Sequence, residues 1–352
     1  MGGKNSQTMK KVFFFLLSAS AAFTVNAQDN KEPYLTQTLS SETIKQISVE
    51  TSGGSIAVSG SAQSEARIEM YVNANNGISS LSKEEIKKRL EEDYVVKINV
   101  AGNTLTATAK NKRDNWDWKR SLSISFKIYV PSNVSTDLST SGGSIKLNNL
   151  NGTQVFRTSG GSLKVDRVSG KIDGKTSGGS INVTNSSDDI DLATSGGSIT
   201  AENCKGNLDL STSGGSLHLN SLDGKVKAST SGGRIDGDNI KGYLSAATSG
   251  GSVHLSNIRA TLETSTSGGS MDIEVTELGQ YVKVSNSGGS IDMQLPANKG
   301  LDLDLHGNKV KLNPMNNFSG DTDDNSIKGK VNGGGTEISV HAGSGHVTIN
   351  FR

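Results

Sequence analysis

Three aspartates, Asp173, Asp191 and Asp209, recur at intervals of 18 residues, with Asp188 and Asp189 beside the second. Carboxylates lined up in this way offer oxygen ligands to a hard cation such as Ca2+. The alternative is a solvated acidic strip relieved by Lys171, Lys175 and Lys227. A second series runs His218, Asp236, His254, Asp272 and then Asp292. Imidazole next to carboxylate suits a transition metal, or a set of favourable cross-strand pairs. Trp116 and Trp118 are the two tryptophans, set between Arg113 and Arg120 in the stretch RDNWDWKR. Indole rings flanked by guanidinium groups are suited to stacking on sugar rings, with packing under an end cap as the competing reading. The single cysteine, Cys204, falls in an apolar column and reads as core, so neither a disulfide within the chain nor a cysteine-based metal site is expected.

These residues are spaced by a repeat. Ser-Gly-Gly recurs every 18 residues from Ser141 to Ser267, then after a gap of 20 at Ser287. Thr precedes the motif at Thr51, Thr140 and onward to Thr266, and Asn286 precedes its last copy. A period of nine is also visible: of fifteen positions from Gly143 to Gly269, thirteen are Gly, the exceptions being Asp188 and Ala260. A short fixed period is the signature of a repeat architecture. After each motif, apolar residues alternate with polar ones, as in Ile145-Lys146-Leu147 and Leu163-Lys164-Val165. That period of two predicts strands with one buried and one wet face.

Two strands and two turns per 18 residues predict an all-β chain folded as a single-stranded parallel β-helix, or β-solenoid. The coil perimeter would be about 60 Å and the spacing between coils about 4.8 Å. The general preference of parallel crossovers predicts a right-handed coil. Gly143, Gly161, Gly179, Gly197, Gly215, Gly233, Gly251 and Gly269 mark one corner as structural turns. Stacked Thr hydroxyls there can bond along the axis, since each can donate and accept. At the other corner Asn149, Asn185, Asn203, Asn239 and Asn257 suit left-handed backbone, with Arg167 and Ser221 interrupting.

The flanks differ. Residues 1–27 read as a signal peptide, with Lys10-Lys11, an apolar run over 12–25 and a Val25-Asn26-Ala27 cleavage site. Residues 28–43 are a linker. Residues 44–130 form an irregular β block with a helix over 82–92 behind the N-cap Ser82. The regular repeat spans 131–295, and 296–352 form irregular C-terminal coils, with Asn316–Asn325 as an exposed loop. The two irregular blocks are expected to cap the ends, where self-association through the solenoid would otherwise occur. No membrane span is expected after signal cleavage, which places the chain in the periplasm, on the outer surface or in the medium. With 36 basic and 35 acidic residues, no nucleic-acid partner is expected.

Nucleotide and repeat-wide calcium binding are disfavoured. Gly170-Lys171 and Gly224-Lys225 lack the following Ser or Thr of a phosphate loop. The positions after Gly142-Gly143 where a calcium roll needs Asp are Ile145 and Leu147.

The repeats, together with the strand Leu122–Val130 ending at Pro131, resemble a bacterial putative-adhesin family, a domain of unknown function in Bacteroidetes-type envelope proteins. The resemblance covers roughly residues 40–350. It implies a β-helix-like fold, a periplasmic or surface location and no catalytic residues. The expectation is therefore an exported non-catalytic binding scaffold for a surface glycan or protein, without a cofactor beyond an adventitious or structural Ca2+. An envelope-assembly or stress-sensing role through protein partners is the alternative. A polysaccharide-active enzyme is disfavoured because no insertion interrupts the repeat to wall a cleft.

Overall fold

Alternation of apolar and polar side chains becomes strand throughout the computed structural model, which describes residues 32–39, 43–61, 65–75, 81–112 and 120–352. Those residues are all-β apart from one helix, Lys83–Asp93. The strand Leu163–Thr176 shows the rule: Leu163, Val165, Val168, Ile172, Gly174 and Thr176 are buried and their neighbours are not. It pairs in parallel with Ile145–Thr158 on one side, Leu163 facing Ile145, and on the other side Leu163 faces Ile181. Each residue thus lies beside its counterpart 18 positions away, and the register holds without a shift through Val253–Thr266.

The expected pair of separate strands per unit is found in only part of this region. Ile145–Thr158, Leu163–Thr176, Leu217–Thr230, Ile235–Thr248 and Val253–Thr266 each run unbroken round the second corner. The bend needs one left-handed residue, and Asn149, Arg167, Ser221, Asn239 and Asn257 supply it with φ between 52 and 55°. Two units are divided at that corner, into Ile181–Thr184 with Ser187–Thr194 and Ile199–Glu202 with Lys205–Thr212. The pairings therefore close a ring of six parallel strands, in which Leu163–Thr176 and Leu217–Thr230 each span both faces.

The ends depart from simple stacking in sequence order. Gln46–Thr51 pairs in parallel with both Thr104–Asn111 and Ser135–Thr140, and Ile56–Gly60 with both Leu122–Val130 and Ile145–Thr158. The first Thr-Ser-Gly-Gly, at Thr51, consequently stacks on the one at Thr140. The same arrangement recurs at the other end. Thr336–Ala342 lies between Met271–Asn286 and Leu301–His306, and His346–Phe351 between Ile291–Leu295 and Lys309–Asn313. The first and last units of the ladder are each one place in from its end.

Antiparallel strands then terminate the parallel ladder. Tyr94–Ala101 covers Thr104–Asn111, Arg67–Ala74 covers Leu122–Val130, and Leu35–Thr38 adds to Arg67–Ala74. Ser326–Val331 covers Leu301–His306, and Phe318–Thr322 adds to it. This last strand corrects the expected loop over 316–325. Only Phe318 packs against the core, and the residues after it are exposed on both faces, so no apolar alternation marks the strand. The helix begins one residue after its cap, with the Ser82 hydroxyl accepting from the Glu85 N–H at 3.2 Å. Among the described residues one hydrophobic cluster runs from Leu39 to Ile349.

Candidate functional site

The Thr of the repeated corner is fully occupied by the corner's own bonding. Thr158 Oγ1 donates to the Gly143 carbonyl of the preceding unit at 2.8 Å and accepts from its own Gly161 N–H at 3.2 Å. Thr176, Thr194, Thr212, Thr230 and Thr248 repeat both contacts. The expected hydroxyl-to-hydroxyl ladder is thus replaced by a staple through the glycine backbone. Asn286 substitutes for Thr because its amide does both jobs, Nδ2 donating to Gly269 O and Oδ1 accepting from Gly289 N–H. The second glycine is required by contact and not by left-handed backbone. A Cβ on Gly161 would lie 1.9 Å from the Gly143 carbonyl oxygen. With its hydroxyl satisfied and buried, the Thr of each corner offers nothing to a ligand.

Of the residues singled out in the sequence, Arg113, Trp116 and Trp118 lie outside the described residues. Arg120 is described, and its guanidinium bridges Glu92 at 2.7 Å and Asp93 at 3.1 Å, which raises its pKa. It is therefore engaged in tying the helix end to the strand that follows. Asp173, Asp191 and Asp209 do sit in adjacent register. Asp173 is held by Arg157 at 3.4 Å and Lys175 at 3.8 Å, and Lys227 continues the column beside Asp209. An open groove of about 350 Å³ lies over Asp189, Asp191 and Asp209, bounded by Lys171, Lys225 and Lys227. Asp188 takes the left-handed backbone of the glycine column, φ 82°, and its carboxylate accepts from the Gly170 N–H at 2.8 Å.

The histidine column forms pairs. His218 Nδ1 lies 3.2 Å from Asp236, which also meets Arg234, and His254 Nδ1 lies 3.2 Å from Asp272. Among the described residues no three His, Cys, Asp or Glu side chains are grouped as a metal site requires. Cys204 is buried, with its thiol pushed to a higher pKa mainly by desolvation.

A constellation absent from the sequence reading lies across the strands Ile235–Thr248, Val253–Thr266 and Met271–Asn286. Tyr243 and Tyr281 flank the strand carrying Thr261 and Glu263: Tyr243 pairs with Thr261, and Val282, next to Tyr281, pairs with Leu262. Both phenols donate to the one carboxylate, Tyr281 to Oε1 at 2.5 Å and Tyr243 to Oε2 at 3.0 Å. These bonds, the Tyr281 one first, hold the Glu263 carboxyl below its ordinary pKa, with Lys283 adding to the effect. The reciprocal contact pushes Tyr281 up to about 12. Beside Glu263 runs an open trough of about 420 Å³ over Ser245, Ala247, Ser265 and Ser285, edged by Lys283 and His341. The 20-residue spacing before Ser287 hid this cluster. The two extra residues are taken up by register shifts between Leu255 and Leu262, so Tyr281 falls out of step with Tyr243 in the sequence. That break in the period was the available signal.

Among the described residues no helix is long and apolar enough to cross a membrane. No protein-family model matches the chain, and no curated protein matches it significantly. Two solved structures are similar to it. One is a putative cell adhesion protein from Clostridium sporogenes ATCC 15579, 12% identical, covering 90% of this chain and 98% of that one with a TM-score of 0.19. The other is a putative adhesin from Bacteroides fragilis NCTC 9343, 12% identical, covering 90% and 96% with a TM-score of 0.25. At these scores the likeness carries no argument about this chain.

Proposed function

We propose that the chain is an exported, non-catalytic cell-envelope or surface protein of the adhesin type. In this reading it is a right-handed single-stranded β-helix whose flat faces present binding groups for a glycan or protein ligand. The observation that carries the reading is the register unshifted from Ile145 to Val253–Thr266. No unit-specific loop rises from these layers to wall a cleft, and the depressions lie open on sheet faces. A glycosidase needs two carboxyls poised across a bond. Glu263 is instead committed to two phenols, and Asp173 to two cations. The signal-like residues 1–27 and the resemblance of the Ser-Gly-Gly units support export. No cofactor is required.

Two measurements test this. Fractionation of cells making the full chain should place it outside the cytoplasm; cytoplasmic retention overturns the location. Residues 28–352 should then bind in a screen of oligosaccharides and extracellular-matrix proteins. Turnover of polysaccharide without stable binding overturns the non-catalytic reading.

A further inference from the structure

The structure points to the trough beside Glu263 as a carbohydrate-binding site, and we propose that it takes a glycan through vicinal hydroxyl groups. The inference rests on the reading of the chain as a binding scaffold and names the site and ligand class within it. Each Glu263 oxygen already accepts one phenol O–H, which fixes the carboxylate in place from both sides. A carboxylate oxygen accepts more than one hydrogen bond. The remaining capacity of the two oxygens is spaced for two neighbouring sugar hydroxyls, and hydrogen bonds to a charged acceptor are the strong ones.

The floor supplies the rest. The hydroxyls of Ser265, Ser285 and Ser339 have no hydrogen-bond partner among the described residues. Ser144, Ser198 and Ser216 at the repeated corner are instead engaged, each accepting from the N–H of the following unit. The trough hydroxyls are therefore free to donate and accept, and Lys283 adds an ammonium at the rim. Small side chains on the floor leave about 420 Å³. That lies within the ~300–1,000 Å³ of small-molecule sites. A rigid sheet carrying prepositioned polar groups loses little entropy when a ligand binds. This combination of a fixed acceptor, free hydroxyls and an ammonium matches a polyhydroxylated ligand better than an apolar or purely ionic one.

The test is an array of neutral, sialylated and sulfated oligosaccharides with matrix proteins alongside, probed with residues 28–352, followed by calorimetric titration of the strongest sugar. Glu263→Gln removes the charged acceptor, and Ser265→Gln fills the trough from an outward position while leaving Glu263 itself in place. Each variant is melted to check its fold, so that the second keeps the test decisive if the first unfolds. The expected result is binding at least ten-fold weaker in both, with Trp116→Ala/Trp118→Ala unchanged. Sugar binding unaffected by either trough variant, or lost only in the tryptophan variant, overturns the site and leaves the scaffold reading standing. Binding to a matrix protein without any sugar does the same. No binding to sugar or protein overturns both.

Discussion

The two glycines of each corner look alike in the sequence and do different work. A Cβ on Gly215 would sit 2.0 Å from the Gly197 carbonyl oxygen, whereas one on Gly214 would approach nothing closer than 3.5 Å. Gly215→Ala is expected to destabilise the fold by about 1–3 kcal/mol, as forced overpacking does. Gly214→Ala should stay within about 0.5 kcal/mol. Denaturant titration of both variants checks the difference. Tyrosines give a second residue-scale prediction. All six are raised above the ordinary phenol value, five chiefly by burial and Tyr281, at about 12, chiefly by its bond to Glu263. A raised folded value favours the protonated phenol. This contribution is complete below the unfolded value near 10 and is lost as pH rises through the folded one. Phenolate absorbance of the native chain should therefore be lower at pH 10 than that of the unfolded chain, and Tyr281→Phe should remove a step near 12. A normal titration centred on pH 10 would contradict the geometry. The Thr column was legible as a column, but its bonding was not, because the partner is a backbone carbonyl that carries no sequence signal.

At the scale of the element, alternation read the strands well. Leu122–Val130 has the bounds expected from the sequence, and the N-cap Ser82 located the helix to within one residue. What alternation could not show is whether a strand stops at a corner. Asn149 and its equivalents bend the chain while the neighbouring unit keeps bonding, so a turn signal lies inside an unbroken strand. Phe318–Thr322 was illegible for a different reason, being exposed on both faces beyond Phe318. The second corner also carries a correctable cost. Ser221 adopts φ 54° where most units place Asn. Ser221→Asn should stabilise the chain by about 0.5–1 kcal/mol, since Asn tolerates left-handed backbone better. A lower melting temperature would show that the Ser221 contact to Asn220 at 2.6 Å matters more than backbone preference.

At the scale of the whole molecule, the sequence showed repeated units but not the order in which the end units stack. That order depends on pairings across long segments, and a repeat that has lost its period leaves no trace of its neighbour. The C-terminal unit fills a gap between two others, with Ile338, Val340, Val347 and Ile349 buried there. Each such side chain contributes about 1.5–3 kcal/mol. Removing residues 336–352 should therefore abolish cooperative melting and expose an unpaired sheet edge that aggregates, whereas a fully melted but soluble fragment would argue against exposed edges.

The stacking order itself is open to direct measurement by paired cysteines on the outward column of Asp292, Thr348 and Lys311. Thr348 is in register with both of the others. Neighbours at about 4.8 Å fall within disulfide reach, and next-but-one neighbours at about 9.6 Å do not. Asp292→Cys/Thr348→Cys and Thr348→Cys/Lys311→Cys should each cross-link on mild oxidation, and Asp292→Cys/Lys311→Cys should not. Rapid cross-linking of the Asp292 and Lys311 positions, with Thr348 joined to neither or to one alone, would mean that the units stack in sequence order and would contradict the inserted C-terminal unit.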